Sequence, residues 1–389
     1  MTNNKKKSPT KMVSLFSGIG GFELAFQHVG ISTTLMCEID PIAQHILTKN
    51  LPNVKLVSDI CDLKKLPKGT DILCAGFPCQ DLSSIGVKQG LDGERSSLVL
   101  EVLRLLRQDQ VEWVIFENVP YMLRLKKGEA IRTIVEALEE LGYKWAYRTI
   151  DSMAFVPQHR SRVYVVASLH NDPRDVILSG NSTKKQGVIT TDTSSEPCGF
   201  YWTEGKYALG LYQNAIPTLK VGSSIGIASP PAIAFPNGMV ASPDIRDAER
   251  MQGFPVDWTE PAEELTKAAG RWKLVGNAVT VNTVEWIANK IVSPVKYEGQ
   301  KDKVLSKQDK WPKAAWGNDG KRYASNVSEY PVERDEESLI DFLSYQCKPL
   351  SLKAAKGFEN RLNMGKVRCP QFFRDAIHEY VERMEEEHE

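Results

Sequence analysis

The chain has 389 residues with 49 basic and 49 acidic side chains, a length that predicts two or three domains of ordinary size. Hydrophobic residues make up 42% and aromatic residues 8%, which supports a large core and excludes a disordered chain. No apolar run approaches the roughly 18 residues of a membrane span, and the basic start lacks a signal-peptide segment, so we expect a cytoplasmic protein.

The seven cysteines lie at uneven spacings and include no CxxC pair. This pattern predicts neither a disulfide framework nor a metal site. Because the net charge is zero, bulk charge gives no indication of nucleic-acid binding, and any such argument must come from local chemistry.

Short apolar strands and amphipathic helices alternate along the first part of the chain, with short connections between them. Strands are predicted at 12–16, 33–38, 71–75, 113–118 and 162–168, and helices at 22–29, 41–49, 98–107 and 131–141. This alternation predicts an α/β fold, a doubly wound and mostly parallel sheet covered on both faces.

The pattern changes after about residue 168. Residues 170–243 are rich in Gly, Ser, Thr and Pro and show no amphipathic helix, which indicates a loop-rich or β-rich region. Helical spacing returns at 244–251, 277–291, 335–346 and 370–387.

A glycine-rich turn, Ser17 to Gly21, lies between the first strand and the first helix. Glu38 ends the next strand, 20 residues after Gly18, at the distance where an acid accepts hydrogen bonds from ribose hydroxyls. Asp59, after a third extended run, is placed to accept a hydrogen bond from an adenine amino group. The set predicts an adenosine-containing ligand, although the glycines alone fit an ordinary tight turn equally well and match neither the dinucleotide fingerprint nor a Walker loop.

Three further strand ends carry reactive side chains. Cys79 follows strand 71–75 after a proline, Glu117 ends strand 113–118, and Arg160 and Arg162 open strand 162–168. Each has a plain structural alternative: a buried cysteine, a solvated carboxylate, or surface arginines. They converge on one crevice only if the sheet is assembled as predicted.

Five blocks of sequence, in unpermuted order, resemble the C5 cytosine-specific DNA methyltransferases of bacteria and phages. They are LFSGIGGFELAF, GFPCQDLSSIG, FENVP, PQHRSRVYVVA, and DIRDAERMQGFP together with VGNAV. The resemblance implies a Rossmann-like catalytic domain at 12–167 plus 272–295 and a target recognition region at 168–271. A mobile tail at 1–11 and a C-terminal extension of unknown role at 296–389 complete the predicted organisation.

The resemblance also implies the chemistry, which is methylation of carbon 5 of a flipped cytosine in duplex DNA. Cys79 would add to carbon 6, and Glu117 in its protonated form would act at N3. Arg162 would hold the cytosine O2, and Arg160 would steady the loop around Cys79.

By the same resemblance, S-adenosylmethionine is the cofactor. Its predicted contacts are Phe16, Gly18, Ile19, Gly20, Glu38, Ile39, Asp59, Ile60, Pro78, Asn277 and Ala278. Many family members have an aromatic residue where this chain has Ile39. Predicted contacts with double-stranded DNA are Gln80, Ser83, Ser84, Gln158, Lys220, Gly222 and Arg246. We expect a monomer that serves a restriction-modification or anti-phage system.

Two other functions stay open at this point. One is a transfer-RNA cytosine-5 methyltransferase of the same fold, and the other is a catalytically silent DNA-binding regulator. Residues 168–260 contain seven basic and ten acidic residues. Contacts with DNA phosphates therefore require either that these few basic residues lie together on the contact face or that basic residues elsewhere in the chain take part. Trp311 and Trp316 either stack on nucleic acid or anchor the C-terminal extension.

Overall fold

The computed structural model describes residues 9–78, 98–182, 195–220, 230–306, 308–334 and 337–387. The chain forms two compact units. The large-sheet unit comprises Met1–Asp151, Ser161–Thr183 and Val279–Val332. The small-sheet unit comprises Ser152–Arg160, Lys184–Ala278 and Glu333–Glu389. The predicted C-terminal extension is thus divided between the two units.

Ten strands of the described chain form the sheet of the large-sheet unit. They are β1 (Lys11–Leu15), β2 (Ser32–Cys37), β3 (Lys55–Val57), β4 (Ile72–Ala75), β5 (Trp113–Asn118), β6 (Lys144–Asp151), β7 (Ser161–Ser168), β12 (Lys303–Val304), β13 (Ala314–Asn318) and β14 (Lys321–Ala324). Their order is β12-β14-β13-β6-β7-β5-β4-β1-β2-β3. The half from β3 to β5 is parallel, as predicted, and the half from β7 to β12 is antiparallel.

Helices accompany this sheet as the alternating pattern predicts. They are α1 (Gly21–His28), α2 (Pro41–Asn50), α3 (Leu98–Gln108), α4 (Glu129–Glu140), α5 (Arg174–Ile177) and α8 (Val281–Val292). The buried faces of α3 and α4 join the apolar side chains of β1, β4 and β5 in one core cluster, while α1 packs on α8. The predicted α/β fold is confirmed.

The central strand β6 was not predicted from the sequence, because its KWAYRTI run mixes charged and apolar residues. Arg148 is nevertheless fully buried in it, and its guanidinium donates hydrogen bonds to the carbonyl oxygens of Ser328, Ser179 and Gly180. These bonds offset part of the cost of burying the charge, although Nη2 has no hydrogen-bond partner among the described residues, and burial lowers the pKa of Arg148 to about 10.

The small-sheet unit contains a second, antiparallel sheet with the order β15-β11-β10-β8-β9. Its strands are β8 (Cys198–Phe200), β9 (Tyr212–Gln213), β10 (Ala232–Ala234), β11 (Val240–Ser242) and β15 (Lys348–Pro349). Its helices are α6 (Ile245–Met251), α7 (Ala269–Asn277), α9 (Leu339–Phe342), α10 (Leu352–Met364) and α11 (Gln371–Glu386). Phe200, Phe358 and Phe373 pack together at the centre of its core.

Several helix predictions need correction. The helix predicted at 277–291 is divided, since Asn277 ends α7 and α8 begins at Val281. The helix predicted at 335–346 is only α9, one turn long. Helix α10 was missed because Gly357 interrupts its helical pattern. The helix predicted at 370–387 is confirmed as α11.

Trp311 and Trp316 serve as packing anchors within the large-sheet unit. Trp311 is buried, with its ring about 6.1 Å from those of Trp145 and Tyr147. Trp316 stacks on Tyr323 and donates its indole N–H to Asp302 at 2.6 Å. The anchoring alternative for both tryptophans is therefore confirmed. No helix of the described chain is long and apolar enough to cross a membrane.

Candidate active site

The glycine-rich turn after β1 has an unusual backbone. Phe16, Gly18 and Gly20 all have positive φ, at 58°, 55° and 94°. Such values are uncommon outside glycine, so Phe16 is held in a strained conformation. A Cβ built on Gly18 would meet no atom within 4 Å, which leaves open space beside the turn. The turn therefore has room for a ligand close to its backbone.

Glu38 is tied to this turn by its carboxylate. One oxygen accepts the backbone N–H of Gly18 at 2.7 Å, and the other accepts the N–H of Asp40 at 2.8 Å. Burial raises the pKa of Glu38, and these two N–H groups oppose that rise. The carboxylate thus holds the turn against the end of β2.

The side chains next along this edge differ in exposure. Ile39 is 62% exposed, an unusual state for a large apolar residue. Ile60 is buried, and Asp59 caps the 3-10 turn Ile60–Asp62 by accepting the N–H of Cys61 at 2.9 Å. An apolar surface at Ile39 therefore follows Glu38 directly and is available to a ligand ring.

Glu117 and Arg162 form an ion pair, with the Arg162 Nε 3.1 Å from the Glu117 Oε1. Both side chains are largely buried. The two meet because β7 runs antiparallel to β5, so the start of β7 lies beside the end of β5, where Asn118 pairs with Val163. The sequence predicts Arg162 at this edge of the sheet, which agrees with the structure. It also predicts a parallel strand there, and this is wrong because β7 is antiparallel to β5.

The segment leading to Cys79 is held from the same strand. The amide of Asn118 donates to the carbonyl oxygen of Phe77 at 2.9 Å. A Cβ built on Gly76 would lie 3.5 Å from the Glu117 Oε2, so the carboxyl group lies over the chain just before Cys79. Pro78 is exposed. The predicted site residues Cys79, Gln80, Ser83, Ser84 and Gly222 lie outside the described residues.

Arg160 belongs to the small-sheet unit and has different partners from Arg162. Its guanidinium donates to the carbonyl oxygens of Ala278 at 2.6 Å and Leu219 at 3.3 Å. Ala278 follows the end of α7, where Asn277 is exposed. Arg160 therefore joins the GNAV segment to the residues around Leu219 within this unit.

The predicted contact of Gln158 with DNA needs correction. Gln158 is fully buried. Its amide N–H₂ donates to the carbonyl oxygen of Met251 at 2.9 Å, and its amide oxygen accepts the N–H of Leu219 at 3.0 Å. Both ends of the side chain are therefore used in internal bonds, and the residue braces the small-sheet unit.

The predicted phosphate contacts Lys220 and Arg246 are also engaged within the protein. Lys220 forms an ion pair with Glu204, and its ammonium lies 3.5 Å from the centroid of the Tyr201 ring. Arg246 pairs with Asp244 at 2.8 Å. In these arrangements the charge of each side chain is already balanced by a carboxylate.

The sequence analysis assigned no role to two buried residues near the site, Asn118 and Glu23. Asn118 holds Phe77, and its position directly after Glu117 in FENVP was the available signal. Glu23 of α1 is fully buried, and burial raises its pKa to about 7, although the hydroxyls of Ser17 and Ser14 oppose the rise. The single acid among the apolar residues of GFELAF was the feature of the sequence that could have indicated a buried glutamate. The described residues contain no cluster of acidic, His or Cys side chains suited to a metal ion.

The fold is that of the α/β methyltransferases. Among solved structures, the Entamoeba histolytica methyltransferase EhMeth aligns with a TM-score of 0.53 and 16% identity, covering 73% of this chain and 98% of that one. At this identity the likeness concerns the fold.

Sequence comparison identifies the family. The family model described as C-5 cytosine-specific DNA methylase matches residues 10–207. The Type II methyltransferase M2.BsuMI of Bacillus subtilis (strain 168) is 44% identical over 366 residues, covering 90% of this chain and 92% of that protein. The Type II methyltransferase M.Bsp6I of Bacillus sp. (strain RFL6) is 28% identical, covering 72% and 98%. The chain belongs to the C-5 cytosine-specific DNA methylases and is a DNA cytosine-5 methyltransferase.

Proposed function

We propose that this protein transfers a methyl group from S-adenosylmethionine to carbon 5 of a flipped cytosine in a specific site of duplex DNA, through a covalent bond between Cys79 and carbon 6. The observation that carries the proposal is the pair of Glu117 and Arg162 beside the segment that leads from β4 to Cys79. An acid and a forked cation are the groups that a cytosine ring needs at N3 and O2.

Cys79 supplies the nucleophile in this proposal: its thiolate adds to carbon 6, and after carbon 5 is methylated, loss of the carbon-5 proton to water and elimination of the Cys79 thiolate restore the ring. Carbon 5 of cytosine is a poor nucleophile until another group adds at carbon 6, and a thiolate addition divides one difficult step into two easier ones. The hydrogen bond from Asn118 to the carbonyl of Phe77 supports this role, because it fixes the main chain two residues before Cys79.

Glu117 and Arg162 act on the opposite edge of the ring. Glu117 takes up a proton as the cytosine binds beside Arg162, and in that protonated form it donates a hydrogen bond to N3 as negative charge builds on the base, while Arg162 binds O2. A guanidinium has five N–H donors, so Arg162 can contact Glu117 and the cytosine together. Their burial excludes water, which strengthens both interactions.

In this proposal the turn after β1 binds S-adenosylmethionine: Glu38 accepts hydrogen bonds from the ribose hydroxyls, Ile39 packs on the adenine, and the methionine part lies beside Gly18. The exposure of Ile39 and the open space beside Gly18 support this assignment. When bound, the cofactor supplies the sulfonium methyl group. The other predicted cofactor contacts, which include Phe16, Asp59 and Asn277, remain part of this proposal.

The relatives suggest the biological setting. M2.BsuMI and M.Bsp6I are named Type II methyltransferases. We extend this to a role in marking host DNA within a restriction-modification or anti-phage system. Duplex DNA is then the macromolecular substrate, and the active species is a cytoplasmic monomer.

A methyl-transfer assay tests the proposal. Wild-type protein, Cys79→Ala and the control Cys61→Ala, which alters another cysteine of the same unit, receive labelled S-adenosylmethionine with either duplex DNA or transfer RNA. We expect labelling of DNA by the wild type and the control, none by Cys79→Ala, and a stable adduct with duplex containing 5-fluorocytosine. Labelling of RNA alone, or DNA binding without turnover by the wild type, would refute the proposal.

A further inference from the structure

The small-sheet unit has a region of concentrated positive charge in the C-terminal extension. Between Lys348 and Arg374 the sequence contains seven basic residues and one acidic residue, whereas residues 168–260 are net acidic. Lys348, Lys353, Lys366 and Arg368 are exposed. The DNA-contact candidates Gln158, Lys220 and Arg246 are instead used internally. Among the described residues of the small-sheet unit, the exposed cations therefore concentrate in the extension.

Helix α10 holds a turn of the predicted recognition region against this charged segment. The guanidinium of Arg361 donates to the carbonyl oxygens of Glu204 at 3.0 Å and Trp202 at 2.8 Å. A Cβ on Gly365 would lie 2.7 Å from the carbonyl oxygen of Gly205 and 2.8 Å from the Cα of Lys206. Because glycine alone permits so close an approach, the turn is seated directly on the end of α10.

This contact sets Gly365 against Gly205 and Lys206, and the exposed residues on it or directly beside it in the chain are Lys206, Tyr207, Met364 and Lys366, which we name the 206/366 patch. Tyr207 is 87% exposed and Met364 is 80% exposed, the highest values for large apolar side chains in the described chain. The ammonium of Lys206 lies 5.3 Å from the centroid of the Tyr207 ring. Two large side chains this exposed, flanked by two cations, are typical of an interaction surface.

We propose that the 206/366 patch contacts duplex DNA, so that the C-terminal extension forms part of the DNA-binding surface of the small-sheet unit. This inference rests on the proposed function. Lys206 and Lys366 bind backbone phosphates, while Tyr207 and Met364 pack against sugars or bases, as aromatic and apolar side chains do in nucleic-acid grooves. An acidic protein partner is the competing occupant, and the test below distinguishes the two.

The test measures the binding of a short labelled duplex of mixed sequence at several salt concentrations. It compares the wild type, Lys206→Ala/Lys366→Ala, Tyr207→Ala, and the control Lys55→Ala/Lys68→Ala, which removes two exposed lysines of the large-sheet unit. Each lost phosphate contact lowers the slope of log Kd against log salt by about 0.9. We therefore expect the slope of the patch double variant to fall by about 2 and its Kd to rise on any duplex sequence.

Tyr207→Ala should raise Kd by about fivefold or more with the salt slope unchanged, because a stacking contact carries no charge. The control should match the wild type in both quantities. A patch double variant with the wild-type slope and Kd would overturn the proposal. A control whose slope falls and whose Kd rises as much as those of the patch variant would also overturn it. Methyl transfer by the wild type keeps the two proposals separate: its absence would refute the proposed function, whereas an unchanged salt slope and Kd in the patch double variant of a protein that methylates DNA would refute the patch proposal alone.

Discussion

The Nε of Arg162 lies 3.1 Å from the Oε1 of Glu117, and the two residues come from adjacent antiparallel strands. This pair places a cation and an acid side by side at the edge where β4 runs on to Cys79. Both groups are largely buried. When no cytosine is bound, each therefore depends on the other to neutralise its charge.

The first prediction concerns Glu117→Gln, which keeps the shape of the side chain but removes its acid. We expect kcat for DNA methylation to fall by about 10²- to 10⁴-fold, the usual contribution of a positioned acid, with little change in KM for S-adenosylmethionine. Steady-state kinetics with labelled cofactor measure both quantities.

Glu112→Gln is the matched control, since Glu112 directly precedes the opposite end of β5 and pairs with His170. Its kcat should stay close to that of the wild type. Equal losses in the two variants would show that Glu117 has only a structural role.

The second prediction concerns Glu38, whose carboxylate accepts the N–H groups of Gly18 and Asp40. Glu38→Gln loses a charged acceptor, and its amide nitrogen cannot accept an N–H. We expect KM for S-adenosylmethionine to rise by about tenfold or more, because charged hydrogen bonds contribute about 1.5–3 kcal/mol, while kcat falls less. Cofactor titration by calorimetry gives an independent Kd, and an unchanged Kd would contradict the assigned role.

Much of the fold could be predicted because local pattern determined it. The strands β1, β2, β4 and β5 are short apolar runs between turn signals, and a parallel sheet buries such runs on both faces. Strand β6 could not be predicted, because the buried Arg148 depends on carbonyl groups distant in sequence, such as that of Ser328. Long-range hydrogen bonds of this kind leave no local pattern.

The candidate site shows the same division. Glu38 and Glu117 are strand-end acids, so the edge of the sheet that holds them follows from the order of strands and helices. The internal bonds of Gln158 and Lys220 do not follow, because a polar residue in a loop can face either solvent or a buried backbone group. The carbonyl of Met251, which Gln158 contacts, lies 93 residues further along the chain.

The third prediction concerns Arg271, which is nearly buried and joins three acids of the small-sheet unit. Its guanidinium lies 3.0 Å from Glu249, 2.8 Å from Glu263 and 3.3 Å from Asp257. Arg271→Ala leaves the fully buried Glu249 without its cation, and breaking such a pair costs about 3–5 kcal/mol. Urea unfolding followed by circular dichroism measures this loss.

Arg246→Ala is its control, because the pair of Arg246 with Asp244 is more exposed. Solvent screens an exposed pair, which therefore contributes little to stability, so this variant should unfold close to the wild type. If Arg271→Ala were no less stable than Arg246→Ala, the buried network would not be a main stabilising element of the unit.

The last prediction concerns Glu23 and the pH dependence of stability. Burial raises the pKa of Glu23 from 4.5 to about 7, and neither carboxyl oxygen makes a hydrogen bond of good geometry with a described residue. Between these pH values the folded protein keeps a proton that the unfolded chain has lost. The free energy of unfolding should therefore fall as pH rises through this window, by at most about 3.4 kcal/mol from this group.

Glu23→Gln cannot ionise, so it should flatten this slope and be more stable than the wild type above pH 7. The exposed Glu260 provides the control, and Glu260→Gln should keep the wild-type slope. Urea unfolding at a series of pH values gives the comparison. Parallel pH curves for the wild type and Glu23→Gln would mean that Glu23 reaches a compensating partner when ionised. Since Glu23 lies in the helix that follows the glycine turn, that result would direct attention to the hydroxyls of Ser14 and Ser17.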